Sequence, residues 1–199
     1  RAKAANKPSK IVKLFAGRHT RADGEVVRLP AARDEPQSTL LPRYYREVIR
    51  APGSGLPFCD LPASDWQEFG EGLRNVRELT KWLSDAAVVL HLGSDTLNPF
   101  SVPGVSLQRE LANFIELGFT PEHAWAAATS GNASGLPDVG LGRVEVGAAA
   151  DLLIFCEDPT RDLSALPSLE AVIADGRLYE KSVLDEALRR HMGFASSWL

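Results

Sequence analysis

Gly93, Ser94 and Asp95 place a carboxylate where an apolar run of the sequence ends. The run AAVVLHL at 86–92 is short, partly β-branched and followed by glycine, which predicts a buried β-strand. An aspartate at the end of such a strand is unfavourable unless a positive group meets it. A bound metal ion would supply that charge. On spacing alone, the simpler interpretation that Asp95 caps the following turn stays open.

The loop after Asp95 adds polar side chains that suit contact with a small molecule. Thr96, Asn98 and Ser101 lie in this loop, ahead of the sequence Val102-Pro103-Gly104. In parallel α/β folds, ligands collect at the carboxyl ends of strands, where such loops begin. We therefore expect Thr96, Asn98 and Ser101 to border the substrate.

The histidines are weaker candidates than Asp95. His91 lies on the same strand face as Asp95, one layer deeper, because side chains alternate along a strand. A hydrogen-bonded core histidine is the favoured interpretation of His91, ahead of a metal ligand or a proton relay. His123 and His191, on predicted helices, are expected to be solvated. Asp151 is expected to be structural, at the start of a strand.

The segment ahead of the apolar run predicts a helix. Apolar residues recur at steps of three and four, the period of a helix with one buried face. They are Trp66, Phe69, Leu73, Val76, Leu79 and Leu83. Ser64 followed by Gln67 predicts a capping box, and the helix should end near Asp85. A helix followed by an all-apolar strand is typical of a parallel α/β sheet.

The chain after the loop predicts two further helices. The first begins at Ser106, and Gly118 suits its end. Its apolar stripe comprises Leu107, Leu111, Phe114, Ile115 and Leu117. The second begins at Thr120-Pro121-Glu122, which combines a capping hydroxyl, a proline at the first helical position and an acid in the first turn.

From Gly135 onward the sequence pattern is typical of strands and turns rather than of helices. Residues 140–159 predict two short strands around a glycine turn, and Asp175-Gly176 between apolar runs predicts a β-hairpin. A final helix is expected from about Ser182. These strands are therefore predicted to be antiparallel.

Composition narrows the classes of partner. The net charge is −4 without a Lys/Arg stripe, so nucleic acid is not an expected partner. Cys59 and Cys156 are far apart and lack C-x-x-C spacing, so we expect a reduced, cytoplasmic protein. No apolar run is long enough to span a bilayer. The chain begins with Arg1 and its only methionine is Met192, which favours a piece of a longer protein or a processed product.

The ordered motifs from Gly93 to Tyr179 resemble the C-terminal part of metal-dependent amidohydrolases, of the imidazolonepropionase- and dihydroorotase-like kind. Each motif is short, but their order and spacing agree together. They are Gly93-Ser94-Asp95, Val102-Pro103-Gly104, Arg109-Glu110-Leu111, Gly118 to Glu122, Ala127-Ala128-Thr129, Gly140 to Val144, Ala150 to Leu153 and Val172 to Arg177. Residues 1–60 match no such motif.

The resemblance implies an α/β fold made of the C-terminal part of a (β/α)8 TIM barrel and a small β-sandwich-type domain. Residues 1–134 would supply the last βα units, 135–180 the β-domain segment and 181–199 a C-terminal helix. One or two divalent ions, usually zinc, are implied, with Asp95 binding the metal and accepting a proton from the attacking water. His19 lies where the sixth-strand ligand of the family would fall, although a surface loop is the alternative there.

The sequence also departs from the family pattern. It contains no H-x-H pair, and a complete barrel needs about 250 residues, so the barrel cannot close within one copy of these 199 residues. We therefore expect a hydrolase of C–N bonds in linear or cyclic amides, present as a portion that is inactive alone. The alternatives are a non-catalytic scaffold with this fold, and a small α/β protein that forms a homo-oligomer because another subunit supplies its missing strands.

Overall fold

The computed structural model describes residues 36–49, 62–94, 101–136 and 140–197. Four α-helices and three β-strands are present in these ranges: α1 Ala63–Asp85, α2 Val105–Glu116, α3 Pro121–Ala126, β1 Leu152–Phe155, β2 Leu169–Ala174, β3 Arg177–Glu180 and α4 Lys181–Ser197. Shorter helical turns are Pro36–Leu40, Tyr45–Ile49, Ala127–Gly131 and Leu163–Ser168. The predicted site residues His19, Asp95, Thr96 and Asn98 lie outside the described residues.

Helix α1 forms where the apolar periodicity predicts it, but its start differs from the prediction. Pro62 occupies the N-cap position without a side-chain cap, and the Ser64 hydroxyl donates to Asp65 Oδ1 at 3.0 Å. The predicted capping box is therefore wrong, because the hydroxyl that it needs is turned to the neighbouring carboxylate. Leu79, assigned to the buried stripe, is also largely exposed. The side chains of Trp66, Phe69 and Leu73 are not described.

The apolar run that was predicted as a strand belongs to neither a helix nor a strand over residues 88–94, a stretch called the segment Val88–Ser94 below. It pairs with no strand in the described part of the chain. Leu90 and Leu92 are buried, whereas Val89 between them is 50% exposed. The segment therefore has one buried face and one open face, rather than burial on both sides as predicted.

Helices α2 and α3 enclose the buried face of this segment. The core cluster consists of Leu90, Leu92, Leu111, Phe114, Phe119, Ala124 and Ala127. Gly118 ends α2 with φ +91°, its N–H donates to Ile115 O at 2.8 Å, and the N–H of Phe119 donates to Phe114 O at 3.1 Å. This is a Schellman motif, and the rings of Phe114 and Phe119 complete it with centroids 5.0 Å apart. Thr120 caps α3 as predicted, accepting from the N–H of His123 at 3.2 Å.

The three strands form an antiparallel sheet in the order β1-β2-β3. Asp175 and Gly176 connect β2 to β3 with φ +50° and +73°, as the two-residue hairpin signal predicts. The other predicted strand, around Val144 and Val146, is absent from the described residues, and both side chains are exposed. Nothing in the described chain pairs with this stretch, so its backbone remains in turns and bends.

Helix α4 follows β3 directly and packs near Pro36–Leu40, β2 and β3. His191 Nε2 donates to Leu40 O at 2.8 Å, so this exposed histidine is not merely solvated. Within the described stretches, none of the helices combines the length and apolar character that crossing a bilayer requires.

Candidate functional site

The segment Val88–Ser94, which precedes Asp95 in the sequence, is held by a side chain from another part of the fold. Leu92 N–H donates to Asn132 Oδ1 at 2.9 Å, and Asn132 Nδ2 donates to Leu92 O at 2.6 Å. One amide thus satisfies both backbone polar groups of a buried residue, as the edge of a neighbouring strand would. Asp95 follows Leu92 by three residues in the sequence.

Asn132 owes its position to the helix that contains it. After α3 the chain continues through the π-helical turn Ala127–Gly131 to Asn132, whose Nδ2 also donates to Ala128 O at 3.2 Å. This helical stretch lies in van der Waals contact with the segment, since a Cβ added at Gly131 would lie 3.7 Å from Leu90 O. Short π-helical insertions are frequent at functional sites. The sequence motif around Thr129 gave no indication of the role of Asn132.

The far end of the loop after Asp95 is anchored inside the protein. The N–H of Val102 donates to Ser106 Oγ at 2.8 Å, and Gly104 turns the chain into α2 with φ +79°. Ser101, which we expected to border the substrate, is 1% exposed. Its hydroxyl is enclosed by protein here, and its contact with a substrate stays a prediction.

Helix α2 carries a buried polar stripe that no motif in the sequence indicates. Ser106, Glu110 and Asn113 are all buried, and they recur at the four- and three-residue steps of one helix face. Glu110 is only 1% exposed, an unusual environment for a carboxylate. Asn113 Nδ2 has no hydrogen-bond partner in the part of the chain that the structure describes. Arg109-Glu110-Leu111 gave no signal of this burial, because charged residues of this kind usually face water.

His91 differs from the hydrogen-bonded core histidine that we predicted. It is half-buried, and its Nε2 has no hydrogen-bond partner among the described residues. The ring lies against Gly135, where an added Cβ would be 2.9 Å from His91 Cε1. His123 is exposed and contacts the Phe119 ring edge-on, with centroids 5.0 Å apart. Only His91 therefore offers an imidazole nitrogen that is buried and uncommitted within the described chain.

The remaining titratable groups of interest are structural. Asp151 Oδ1 accepts from the N–H of Asp175 at 2.7 Å, which ties the start of β1 to the hairpin as predicted. A hydrogen bond with Glu170 raises the pKa of Cys156, so its thiol is not activated. Over 36–49, 62–94, 101–136 and 140–197, no three histidine, cysteine or acidic side chains come together as a metal site would require.

Three solved structures resemble the chain. A bottromycin amidohydrolase matches 93% of this chain and 40% of its own, with a TM-score of 0.67 and 20% identity. A protein from Bifidobacterium longum classed with the prolidases matches 82% of this chain and 39% of its own, with a TM-score of 0.54 and 26% identity. An Xaa-Pro dipeptidase solved with bound methionine matches 72% and 33%, with a TM-score of 0.52 and 23% identity.

A scan against protein-family models and a search of curated proteins returned no match. The likeness is therefore one of fold. The chain has an amidohydrolase-like fold, and it spans no more than 40% of the length of these solved proteins.

Proposed function

We propose that this chain is the C-terminal portion of a metal-dependent hydrolase that cleaves C–N bonds in linear or cyclic amides. The observation that carries the proposal is the likeness in fold to an amidohydrolase over 93% of the chain. The sequence Gly93-Ser94-Asp95 supports it, because its aspartate directly follows a segment with a buried face. One of the similar structures is named as an Xaa-Pro dipeptidase, so we include Xaa-Pro dipeptides among the candidate substrates.

In this proposal, residues 1–134 supply the last units of a (β/α)8 barrel, residues 135–180 a small β-domain and residues 181–199 a final helix. The two faces of the segment Val88–Ser94 support its place as a barrel strand. Leu90 and Leu92 pack on helices, as the outward side chains of a barrel strand do, whereas Val89 between them is half-exposed. In a complete barrel, neighbouring strands would cover Val89. Its exposure is therefore expected if those strands come from chain outside these residues.

This chain offers only some of the protein ligands that a catalytic zinc ion requires. Asp95 and His19 offer an oxygen and a nitrogen of the kinds that zinc binds, but a catalytic zinc takes three protein ligands. The other ligands would have to come from chain outside these residues. A divalent ion bound there would lower the pKa of a bound water and so make that water a better nucleophile near neutral pH.

The role of Asp95 follows from its chemistry. A carboxylate oxygen of Asp95 would accept the proton of the water that attacks the amide carbonyl, and would return it to the leaving nitrogen. The loop from Thr96 to Ser101, including Asn98, would border the substrate and orient the scissile bond. The buried contact of Val102 with Ser106 supports this, because it holds one end of that loop in place.

A non-catalytic scaffold with the same fold is the second candidate, and one sequence observation favours it. The chain contains no H-x-H pair, the motif that holds the metal in amidohydrolases. The sequence encoded ahead of Arg1 discriminates between the two. An H-x-H pair followed by further strand-end histidines supports the hydrolase, and their absence supports the scaffold.

The experiment uses the protein expressed from its own gene, with whatever chain flanks these residues. Asp95→Asn is compared with Asp85→Asn, an exposed aspartate at the end of α1. Metal content and hydrolysis of a panel of cyclic amides, acyl amino acids and Xaa-Pro dipeptides are measured. We expect Asp95→Asn to lower kcat by about 100-fold or more and to lower metal content, whereas Asp85→Asn changes neither. Full activity and full metal content in Asp95→Asn would exclude the proposed role.

A further inference from the structure

Helix α4 carries an exposed stripe in which apolar side chains flank one arginine. Val183 and Phe194 are each 53% exposed, and Ala187 and Arg190 between them are exposed as well. These four residues recur at steps of four, three and four, so they lie along one face of the helix. Large apolar side chains that are aligned on one surface, rather than scattered, indicate a contact with another polypeptide.

The stripe is separate from the face of α4 that packs on this chain. Ala195 is fully buried and marks the packed face. Leu188 and Met192 precede Ala195 by seven and three residues, so these side chains border the packed face although they are 47% and 37% exposed. Val183 and Phe194 stand about 100° to 120° around the helix axis from Ala195. The stripe therefore stays accessible beside the packed face.

The order of residues along the stripe is self-complementary for a second copy that runs antiparallel. A twofold axis midway between Ala187 and Arg190 brings these two residues of different copies together. The same axis brings Val183 against Phe194 of the second copy, because both pairs share one midpoint in the sequence. One register thus pairs the large apolar side chains and places the small Ala187 under the long stem of Arg190.

The charges of α4 favour the same arrangement. Its first half carries Lys181, Asp185 and Glu186, and its second half carries Arg189 and Arg190, so with neutral histidine one base and two acids face two bases. Within one copy, Arg190 Nε donates to Glu186 Oε1 at 2.9 Å, and Arg189 pairs with the same carboxylate. An antiparallel second copy brings its two arginines to the acidic half of the first and opposes the two helix dipoles. A parallel copy would set like charges side by side.

We propose that α4 is a dimerisation helix, along which two copies of this chain pair antiparallel through Val183, Ala187, Arg190 and Phe194. This inference does not depend on the proposed hydrolase function. The helix has 17 residues and is about 25 Å long, so the contact is a small one and the dimer forms reversibly with protein concentration. Further chain of the same protein and an unrelated protein are the rival occupants of the stripe.

The test uses the protein expressed from its own gene, because any chain that flanks these residues is then present. Sedimentation equilibrium over a wide range of concentrations gives the mass and the dissociation constant. Phe194→Glu places a carboxylate in the apolar contact. The matched control is Leu188→Glu, the same kind of change at a similarly exposed apolar residue of α4 that lies off the stripe. Far-UV circular dichroism checks that both variants are folded.

We expect the unaltered protein to show a monomer–dimer equilibrium. Phe194→Glu should raise the dissociation constant about 30-fold or more, whereas Leu188→Glu should change it less than about threefold.

An exchange of charges tests the antiparallel register. Arg190→Glu should raise the dissociation constant about 10-fold, because the new carboxylate meets Glu186 of the second copy. The double variant Glu186→Arg/Arg190→Glu should return to within about threefold of the unaltered protein, since the pair within the helix and the pair across the axis both form again with exchanged signs.

Three results would overturn the inference, and each identifies a different error. A monomer at every concentration means that no second copy binds, and hydroxyl-radical labelling of Val183 and Phe194 then shows whether further chain covers the stripe. A dimer that Phe194→Glu leaves intact, or that Leu188→Glu weakens equally, forms through another surface. A double charge variant that stays as weak as Arg190→Glu means that the two helices do not run antiparallel in this register.

Discussion

The indole of Trp125 donates from Nε1 to the carbonyl of Pro159 at 2.7 Å, and this bond joins the helical part of the chain to the sheet. The same indole meets the ring of Phe155 on β1 edge-on, with centroids 5.9 Å apart. Trp125 therefore combines an apolar contact and a directed hydrogen bond across one junction. Residues lining a nearby cavity of about 420 Å³ include Thr129, Arg143 and Leu153.

Trp125→Phe should lower the free energy of unfolding by about 1–2 kcal/mol, because the carbonyl of buried Pro159 loses its donor while the aromatic contact is largely retained. Urea unfolding measures the change. Trp82→Phe is the matched control: this tryptophan is 66% exposed, so its replacement should stay within about 0.5 kcal/mol. Equal losses in both variants would show that the junction bond adds no stability.

Gly142→Ala should cost about 2 kcal/mol or more, and Gly147→Ala about 1 kcal/mol. Both glycines have positive φ, +76° and +89°, so alanine is strained at either position. Only at Gly142 would the new Cβ also collide, lying 2.7 Å from Thr129 O and 2.8 Å from Ala133 Cβ. Thermal unfolding of the two variants separates the backbone cost from the collision. A smaller loss in Gly142→Ala than in Gly147→Ala contradicts the close approach.

Phe114→Ala should cost about 3–5 kcal/mol, because its side chain is wholly buried and its ring closes the end of α2 against Phe119. Leu107→Ala should cost less than about 1 kcal/mol, since Leu107 is 38% exposed. The periodicity of the sequence placed both residues on one buried stripe. Denaturant unfolding with both variants tests whether the structure distinguishes them correctly.

Thr160→Val should raise the pKa of Asp158. The hydroxyl of Thr160 donates to Asp158 Oδ1 at 2.6 Å and is the first cause that holds the pKa of this carboxyl below its ordinary value. A lowered pKa stabilises the folded state above the unfolded value of 3.8, and this contribution is lost as the pH falls through the folded pKa. NMR titration of the carboxyl carbon measures the shift.

The control for this titration is Ser164→Ala, read at Asp162. The backbone N–H of Ser164, which survives the substitution, is the main cause that lowers the pKa of Asp162. We therefore expect Asp162 to shift less in Ser164→Ala than Asp158 shifts in Thr160→Val. A larger shift at Asp162 would mean that the hydroxyl of Thr160 is not the dominant donor to Asp158.

Short sequence motifs predicted two helix caps and the β-hairpin of this chain correctly. The caps at Gly118 and Thr120 and the hairpin at Asp175-Gly176 were confirmed, because each depends on the backbone preferences of residues close in sequence. The capping box at Ser64 was wrong because its hydroxyl has a nearer acceptor in Asp65. The strand at Val144–Val146 was wrong for a different reason, since pairing needs a partner that local sequence cannot supply.

The order of motifs around Asp95 was enough to predict an amidohydrolase-like fold, and that prediction was confirmed at the level of fold. The sequence by itself determined the helices, the caps at Gly118 and Thr120, the hairpin and the position of a carboxylate after an apolar run. Tertiary structure alone decided that Glu110 is buried, that Val89 is open, and that the amide of Asn132 meets the peptide of Leu92 across 40 residues of chain. Those outcomes depend on which surfaces pack together. The periodicity of one helix or strand does not indicate which other elements will pack against it.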